Sequence, residues 1–319
     1  MIIKLAGKII QINHLYPYVC EYCRDYLYDA NEDQIDFMIE INKSDIDAER
    51  RKSEKEAIRE KRNVRKFSDE YLETLAVYRK IAEHMLDYDT LLFHGSVVAV
   101  DGQGYLFTAM SGTGKSTHVG LWRKVFKERA VMVNDDKPLL AISKNGVLAY
   151  GTPWNGKYRL SSNVAVPLKS ICILQRDTIN HIEPVNQREA YPMIVQQTNR
   201  AEHPLQMQQT LKLIDRLLDQ TALYRLGCNM ELEAARIAFE GMEHYQKFYE
   251  NGEYVRDVES TTEQNYNMID GCANNLPKPR IINGRESVLD KLRIRQMARE
   301  KQKSGQMQEQ STDIERNRK

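Results

Sequence analysis

Ala109-Met110-Ser111-Gly112-Thr113-Gly114-Lys115-Ser116-Thr117 is the stretch on which the reading of this chain turns. The apolar run Tyr105–Ala109 before it predicts a strand, and the residues after it predict a helix over Lys115–Phe126. A glycine-rich turn between a strand and a helix suits a polyphosphate, because backbone N–H groups and a helix N-terminus solvate dense negative charge. Gly112 and Gly114 allow the tight path and the close approach. Lys115 supplies a mobile cation for the β- and γ-phosphates, and the Ser116 hydroxyl suits the shell of a Mg²⁺ ion. The strict pattern begins with glycine, where this chain has Ala109. Ser111, Gly112, Thr113, Gly114, Lys115, Ser116 and Thr117 are therefore the expected nucleotide-binding residues.

Farther along, Asp135-Asp136 follows the apolar strand Ala130–Asn134. A carboxylate at the end of a neighbouring strand is placed to hold the metal of a bound nucleotide. Of two adjacent acids, one can serve the metal and the other can accept a proton from an attacking hydroxyl. Spacing leaves open which does which. Ser116, Asp135 and Asp136 form the expected Mg²⁺ set.

The chain has 319 residues, with Lys plus Arg at 46, Asp plus Glu at 45 and a net charge of +1. That balance argues against a dedicated nucleic-acid binder. No apolar stretch approaches the roughly 18 residues of a membrane span, and no secretion signal is read at the N-terminus. Five cysteines do not suggest a disulfide scaffold, so a cytoplasmic location is expected. Residues 1–42 hold strands at Ile2–Leu5 and Lys8–Ile12 joined at Gly7, with another within Gln34–Ile41, and are expected to join the core. Residues 43–66 carry ten basic and six acidic side chains and predict a solvated helix or loop without a chemical role. A kinase-like core is expected over 67–251. Ser68 should cap its first helix, with Tyr71, Leu75, Tyr78, Ala82 and Met85 on the apolar face. Strands are expected at Leu91–Val100, Pro138–Ile142, Val147–Tyr150, Ser170–Leu174 and Ala222–Leu226, and helices at Leu205–Leu218 and from Asn229 to about Tyr249. Residues 252–277 read as a linker. Residues 278–319, with twelve basic and six acidic side chains, read as a disordered or loosely helical tail, with any helix around Val288–Arg299.

His94-Gly95, the Asp101–Gly104 turn, Ser111–Ser116, Asp135-Asp136, Gly151-Thr152-Pro153-Trp154-Asn155-Gly156, Val166–Lys169 and Leu223–Leu226 together resemble the bacterial HPr kinase/phosphorylase superfamily. That superfamily shares its fold with ATP-dependent phosphoenolpyruvate carboxykinases. The resemblance is closest to the HPr-kinase-related, serine-kinase-like branch and covers roughly residues 68–240. It implies an α/β nucleotide-binding domain with a mixed central sheet and an ATP- and Mg²⁺-dependent kinase. It further implies that His94 lies near the reacting phosphate, with one of Asp135 and Asp136 acting as base. The glycine-rich signature of true HPr kinases is not recognisable after the acidic pair, so an acceptor other than HPr is expected. The acceptor is a Ser/Thr hydroxyl of a protein or peptide, or a small hydroxyl compound.

Lys157 and Arg159 flank Tyr158, so both cations can face one way and either stabilise charge on the transferring phosphoryl group or stay solvated; Arg176 is a weaker candidate of the same kind. Cys20-Glu21-Tyr22-Cys23 has redox or half-zinc spacing without a second pair. The alternatives to a kinase are a nucleoside-triphosphate hydrolase or switch, and a catalytically silent nucleotide-binding scaffold. A homo-oligomer is compatible with either reading.

Overall fold

A computed structural model describes residues 1–59, 63–110, 112–156, 159–199 and 203–250, together with Ile281–Ile282 and Arg285–Glu286. The chain divides into units Met1–Arg256 and Asp257–Lys319. In the second unit β13 (Ile281–Ile282) pairs antiparallel with β14 (Arg285–Glu286). The expectations for a linker over 252–277 and a helix near Val288–Arg299 fall outside the described residues.

The first unit opens with β1 (Ile2–Leu5) and β2 (Lys8–Asn13), an antiparallel hairpin. Its turn, Ala6-Gly7, has φ of 47° and 77°, the mirror-image turn whose twist matches the strands. After α1 (Tyr18–Tyr22), β3 (Phe37–Glu40) joins β2 in parallel. Next come α2 (Lys43–Arg59) and α3 (Asp69–Met85). Ser68 caps α3 as its side chain accepts from the Tyr71 amide. The buried stripe of α3 is Leu72, Ala76, Val77, Ile81, Ala82 and Met85, packed with Ile3, Leu5, Ile10 and Ile12 of the small sheet. Ala82 and Met85 of the expected face lie in that stripe, Leu75 and Tyr78 pack against it from its margin, and Tyr71, Leu75 and Tyr78 also line a cavity. Residues 43–59 are also more than a solvated segment. Ile46, Glu49 and Ala57 are buried, and Glu49 forms a bidentate ion pair with Arg79 of α3.

The main sheet is built from β4 (Thr90–Leu92), β5 (Ser96–Val100), β6 (Gln103–Thr108), β7 (Ala130–Asn134), β8 (Leu139–Ser143), β9 (Gly146–Tyr150), β10 (Ala165–Arg176), β11 (His181–Pro184) and β12 (Ala222–Cys228). The long β10 serves both halves. Its start pairs antiparallel with β9, which leads through β8 to β4. Its remainder pairs in parallel with β6 on one side and β12 on the other. Beyond β6 lie β5 and β7, and beyond β12 lies β11. The result is a curled mixed sheet, as the resemblance implied.

Helices cover both faces, which is why β5 is apolar without a break from Val97 to Val100. Val97 and Ala99 face a core shared with α5 (Gln187–Gln197) and α6 (Pro204–Gln220). Val98 and Val100 face α4 (Lys115–Phe126) and α7 (Leu232–Glu250), with Trp122 at its centre. α4 has the bounds expected from sequence.

The single strand expected over Leu91–Val100 is two strands with His94-Gly95 between them. The Phe93, His94 and Gly95 amides leave the ladder and donate to the carbonyls of Pro138, Gln197 and Asp136. Gly95 is packed so closely that an added Cβ would lie 3.0 Å from the Phe107 carbonyl oxygen. This break places the histidine. No helix among the described residues is long and apolar enough to cross a membrane.

Candidate functional site

Strand direction brings the sequence-predicted residues to one sheet edge. β6 and β7 are each antiparallel to β5. The C-terminal ends of β6 and β7 therefore lie beside the N-terminal end of β5. Those three ends carry the 109–114 glycine loop, Asn134-Asp135-Asp136 and His94-Gly95. Ligands of α/β sheets commonly sit outside such strand ends.

The glycine loop runs from Ala109, which is buried, to the first turn of α4. Gly112 and Gly114 have φ of 80° and 122°, conformations open to glycine and strained for other residues. The Thr113 amide donates to the Met110 carbonyl at 3.2 Å. Lys115 Nζ donates to the Ala109 carbonyl at 3.2 Å, folded back along the loop. Burial lowers the Lys115 pKa, and the Asp136 carboxylate opposes that shift. Ser116 and Thr117 are exposed on the first turn of α4. Ser111 lies outside the described residues. Arg176 does not stand free as a cation: its guanidinium donates to the carbonyls of Gly112 and Thr113, so it clasps the loop.

The two aspartates have different surroundings. Asp136 Oδ1 is 3.2 Å from His94 Nε2, and Asp136 Oδ2 is 3.3 Å from Lys137 Nζ. Burial alone would raise the Asp136 pKa, but the His94 hydrogen bond and the Lys137 charge outweigh it and hold the group at about 2. Asp135 is 3% exposed. Its Oδ1 accepts from the Gly156 amide at 2.5 Å, whereas its Oδ2 is buried without a hydrogen-bond partner. Burial raises the Asp135 pKa, against the pull of the Gly156 amide.

Asn134 fixes this turn and was not singled out from sequence. It is fully buried; its Oδ1 accepts from the Asp136 and Lys137 amides at 2.8 and 2.6 Å. Its Nδ2 donates to the Thr152 and Trp154 carbonyls, which ties β7 to the Gly151–Gly156 loop. Thr152 Oγ1 donates to the Lys137 carbonyl at 2.7 Å. The signal was an asparagine closing an otherwise apolar buried strand, where an unpaired amide is costly.

Lys157 lies outside the described residues. Arg159, at φ of 49°, is directed to α1: it donates to Tyr18 Oη at 3.2 Å and lies over the Tyr22 ring. Among the described residues no group of three or more His, Cys, Asp or Glu side chains gathers as a metal site. Asp135 and Asp136, with the Ser116 hydroxyl, are instead hard oxygen donors of the sort Mg²⁺ takes alongside phosphate oxygens. The orphaned Asp135 Oδ2 fits that use.

A cavity of about 580 Å³ opens beside His94 and Lys137. Tyr71, Tyr78 and Phe67 form its aromatic wall, and Gln197 lines it near His94. The Gln197 side chain is 6% exposed, and its Oε1 has no hydrogen-bond partner.

Comparison with known proteins adds a family to this mixed α/β fold. Residues 62–230 match the family described as SynChlorMet cassette protein ScmC, and the chain belongs to that family. Residues 251–293 match a domain of unknown function, DUF4316. No curated protein matches. Among solved structures, the Hpr(Ser) kinase/phosphatase from Coxiella burnetii is a weak likeness: 11% identity, 51% of this chain and 99% of that chain covered, and a TM-score of 0.29.

Proposed function

We propose that the chain is an ATP- and Mg²⁺-dependent kinase that transfers the γ-phosphoryl group to a hydroxyl acceptor. The observation that carries this reading is the unlike pair at the end of β7. Asp136 is pinned between His94 and Lys137, while Asp135 keeps one buried oxygen without a partner. Two carboxylates whose surroundings drive their acidities apart are suited to different tasks.

In this reading the glycine loop holds the phosphates through its amides and Lys115. Asp135, Asp136 and Ser116 hold Mg²⁺, which neutralises charge on the phosphates when bound. Asp135 is the better proton acceptor for the incoming hydroxyl, because its pKa is raised while that of Asp136 is depressed. Asp136 stays ionised and fixes His94 and Lys137 toward the transferring group. The acceptor occupies the cavity beside His94, where the Gln197 amide would meet a polar group.

Transfer of label from γ-labelled ATP tests the reading. The protein is incubated with Mg²⁺ and a panel of serine- and threonine-bearing peptides and small hydroxyl compounds. Label in an acceptor, dependent on Lys115 and Asp135, is the expected result. Label released only as inorganic phosphate, at a rate indifferent to the panel, would make the chain a hydrolase. Binding without any turnover would make it a scaffold.

A further inference from the structure

We propose that Cys20 is an imidazole-activated thiol and a modification site for hydroperoxides. Cys20 Sγ lies 3.2 Å from His14 Nε2. The other ring nitrogen, Nδ1, lies 3.0 Å from the Tyr16 carbonyl oxygen. A carbonyl only accepts, so Nδ1 carries the ring proton and Nε2 presents its lone pair to the thiol. A nucleophile, a base in contact with it and a third group orienting the base is the arrangement that activates cysteine.

The histidine is held in place. The Leu15 and Tyr16 amides both donate to the carboxylate of Glu73, a fully buried residue of α3. His14 and Cys20 are both half-buried, so the sulfur is not sealed into the core.

The other described cysteines differ. Cys23 and Cys172 are fully buried. Burial, with Cys20 adding to it, pushes the Cys23 thiol up to about 12, which keeps it a poor partner for disulfide closure. Cys228 is half-buried as Cys20 is, but burial and the Asp177 charge push its thiol up to about 11.

In the reaction the Cys20 proton passes to His14 Nε2, and the imidazolium keeps both donors satisfied, one to the thiolate and one to Tyr16. The thiolate attacks one oxygen of the hydroperoxide and the O–O bond breaks. The leaving oxygen takes the imidazolium proton and departs as water from hydrogen peroxide. Sulfur is oxidised by two electrons to a sulfenic acid, and the peroxide is reduced. The site lies on the element that holds Arg159, since Tyr18 and Tyr22 of α1 flank Cys20 in sequence and contact that guanidinium.

The test uses the reduced full-length protein under native conditions. Iodoacetamide labelling is followed by peptide mass spectrometry, with fragmentation separating Cys20 from Cys23. Cys20 should react at least tenfold faster than Cys228 in the same molecule, and His14→Ala should slow Cys20 at least tenfold. Hydrogen peroxide followed by dimedone should place a sulfenic adduct on Cys20 in the wild type and in Cys23→Ser. Equal rates at Cys20 and Cys228 would overturn the proposal without recourse to any variant. So would an unchanged rate in a folded His14→Ala protein, or the absence of a dimedone adduct on Cys20.

Discussion

His94 Nε2 and Asp136 Oδ1 lie 3.2 Å apart, and the second oxygen of that carboxylate is 3.3 Å from Lys137 Nζ. One acid thus gathers a histidine from the break before β5 and a lysine from its own turn. With its pKa held at about 2, Asp136 is ionised at neutral pH. Asp135 is displaced upward by burial. The acid limb of a kcat profile should therefore belong to Asp135, with an apparent pKa above the ordinary carboxylate value of about 3.9. A limb at or below that value would remove Asp135 from the role of proton acceptor.

Asp135→Asn retains the shape of the side chain and the glycine loop while removing the basic oxygen. Turnover should fall at least tenfold, about 1.4 kcal/mol in the barrier, and by a larger factor than the Mg²⁺-dependent nucleotide affinity, which loses one of its metal ligands. His94→Ala should lower turnover by a similar factor, because the side chain that Asp136 fixes toward the transferring group is lost. Steady-state kinetics beside equilibrium nucleotide binding separates the two effects, and an equal loss of affinity and turnover in Asp135→Asn would contradict the assignment.

Two glycines of the 151–156 loop should respond differently to alanine. At Gly156 the new Cβ would sit 3.0 Å from Asp135 Oδ2, at the oxygen the proposal needs open. Gly156→Ala should fold and lose turnover. At Gly151 the Cβ would lie 1.9 Å from the Ser162 carbonyl oxygen and 2.6 Å from that of Val133, both backbone. Backbone must shift there, so Gly151→Ala should lose stability by several kcal/mol or fail to accumulate. Thermal melts of both variants check this, and a fully stable Gly151→Ala would show the loop to be looser than described.

His118 of α4 gives a stability signature. Its Nε2 accepts from Trp122 Nε1 at 3.0 Å, and the ring is sealed in the core against Phe107. Burial lowers its pKa to about 3, against roughly 6.5 when unfolded. The unfolded chain thus binds more protons between those values. The stabilisation is present in full above about pH 6.5 and is lost as pH falls toward 3, by at most about 1.4 kcal/mol per pH unit. Urea unfolding from pH 7 to 4.5 should show that slope in the wild type. His118→Gln keeps an acceptor for Trp122 without titrating, and it should flatten the curve. Matching slopes in the two proteins would mean that His118 is not held neutral.

Much of this was legible from residue patterns. The strand before the glycine loop, α4 behind it and β7 before the aspartates follow from short apolar runs and turn residues. Convergence of the three strand ends was not legible, because it depends on β5 running against both neighbours, and pairing direction leaves no mark in the apolar pattern. α5 is hard to read from sequence, since Pro192 lies inside it, although Asn186 and Glu189 carry a cap signal that the structure uses. The charge of residues 43–66 predicts a solvated helix or loop, and α2 supplies the helix over Lys43–Arg59. Its charge is instead spent in part on a buried pairing, Glu49 with Arg79, which only the docking of α2 on α3 creates. Asn134 illustrates the converse: one polar residue at a buried strand end organises the turn that carries both acids.

The central claim is that the glycine loop and the aspartate pair face one magnesium–nucleotide complex. Calorimetric titration of ATP, with and without Mg²⁺, into wild type, Lys115→Ala and Asp136→Asn tests it most directly. The account predicts binding strengthened by Mg²⁺ in the wild type, severe loss of binding in Lys115→Ala, and loss of the Mg²⁺ dependence in Asp136→Asn. No heat in the wild type, or the same affinity in all three proteins with and without the metal, would contradict it.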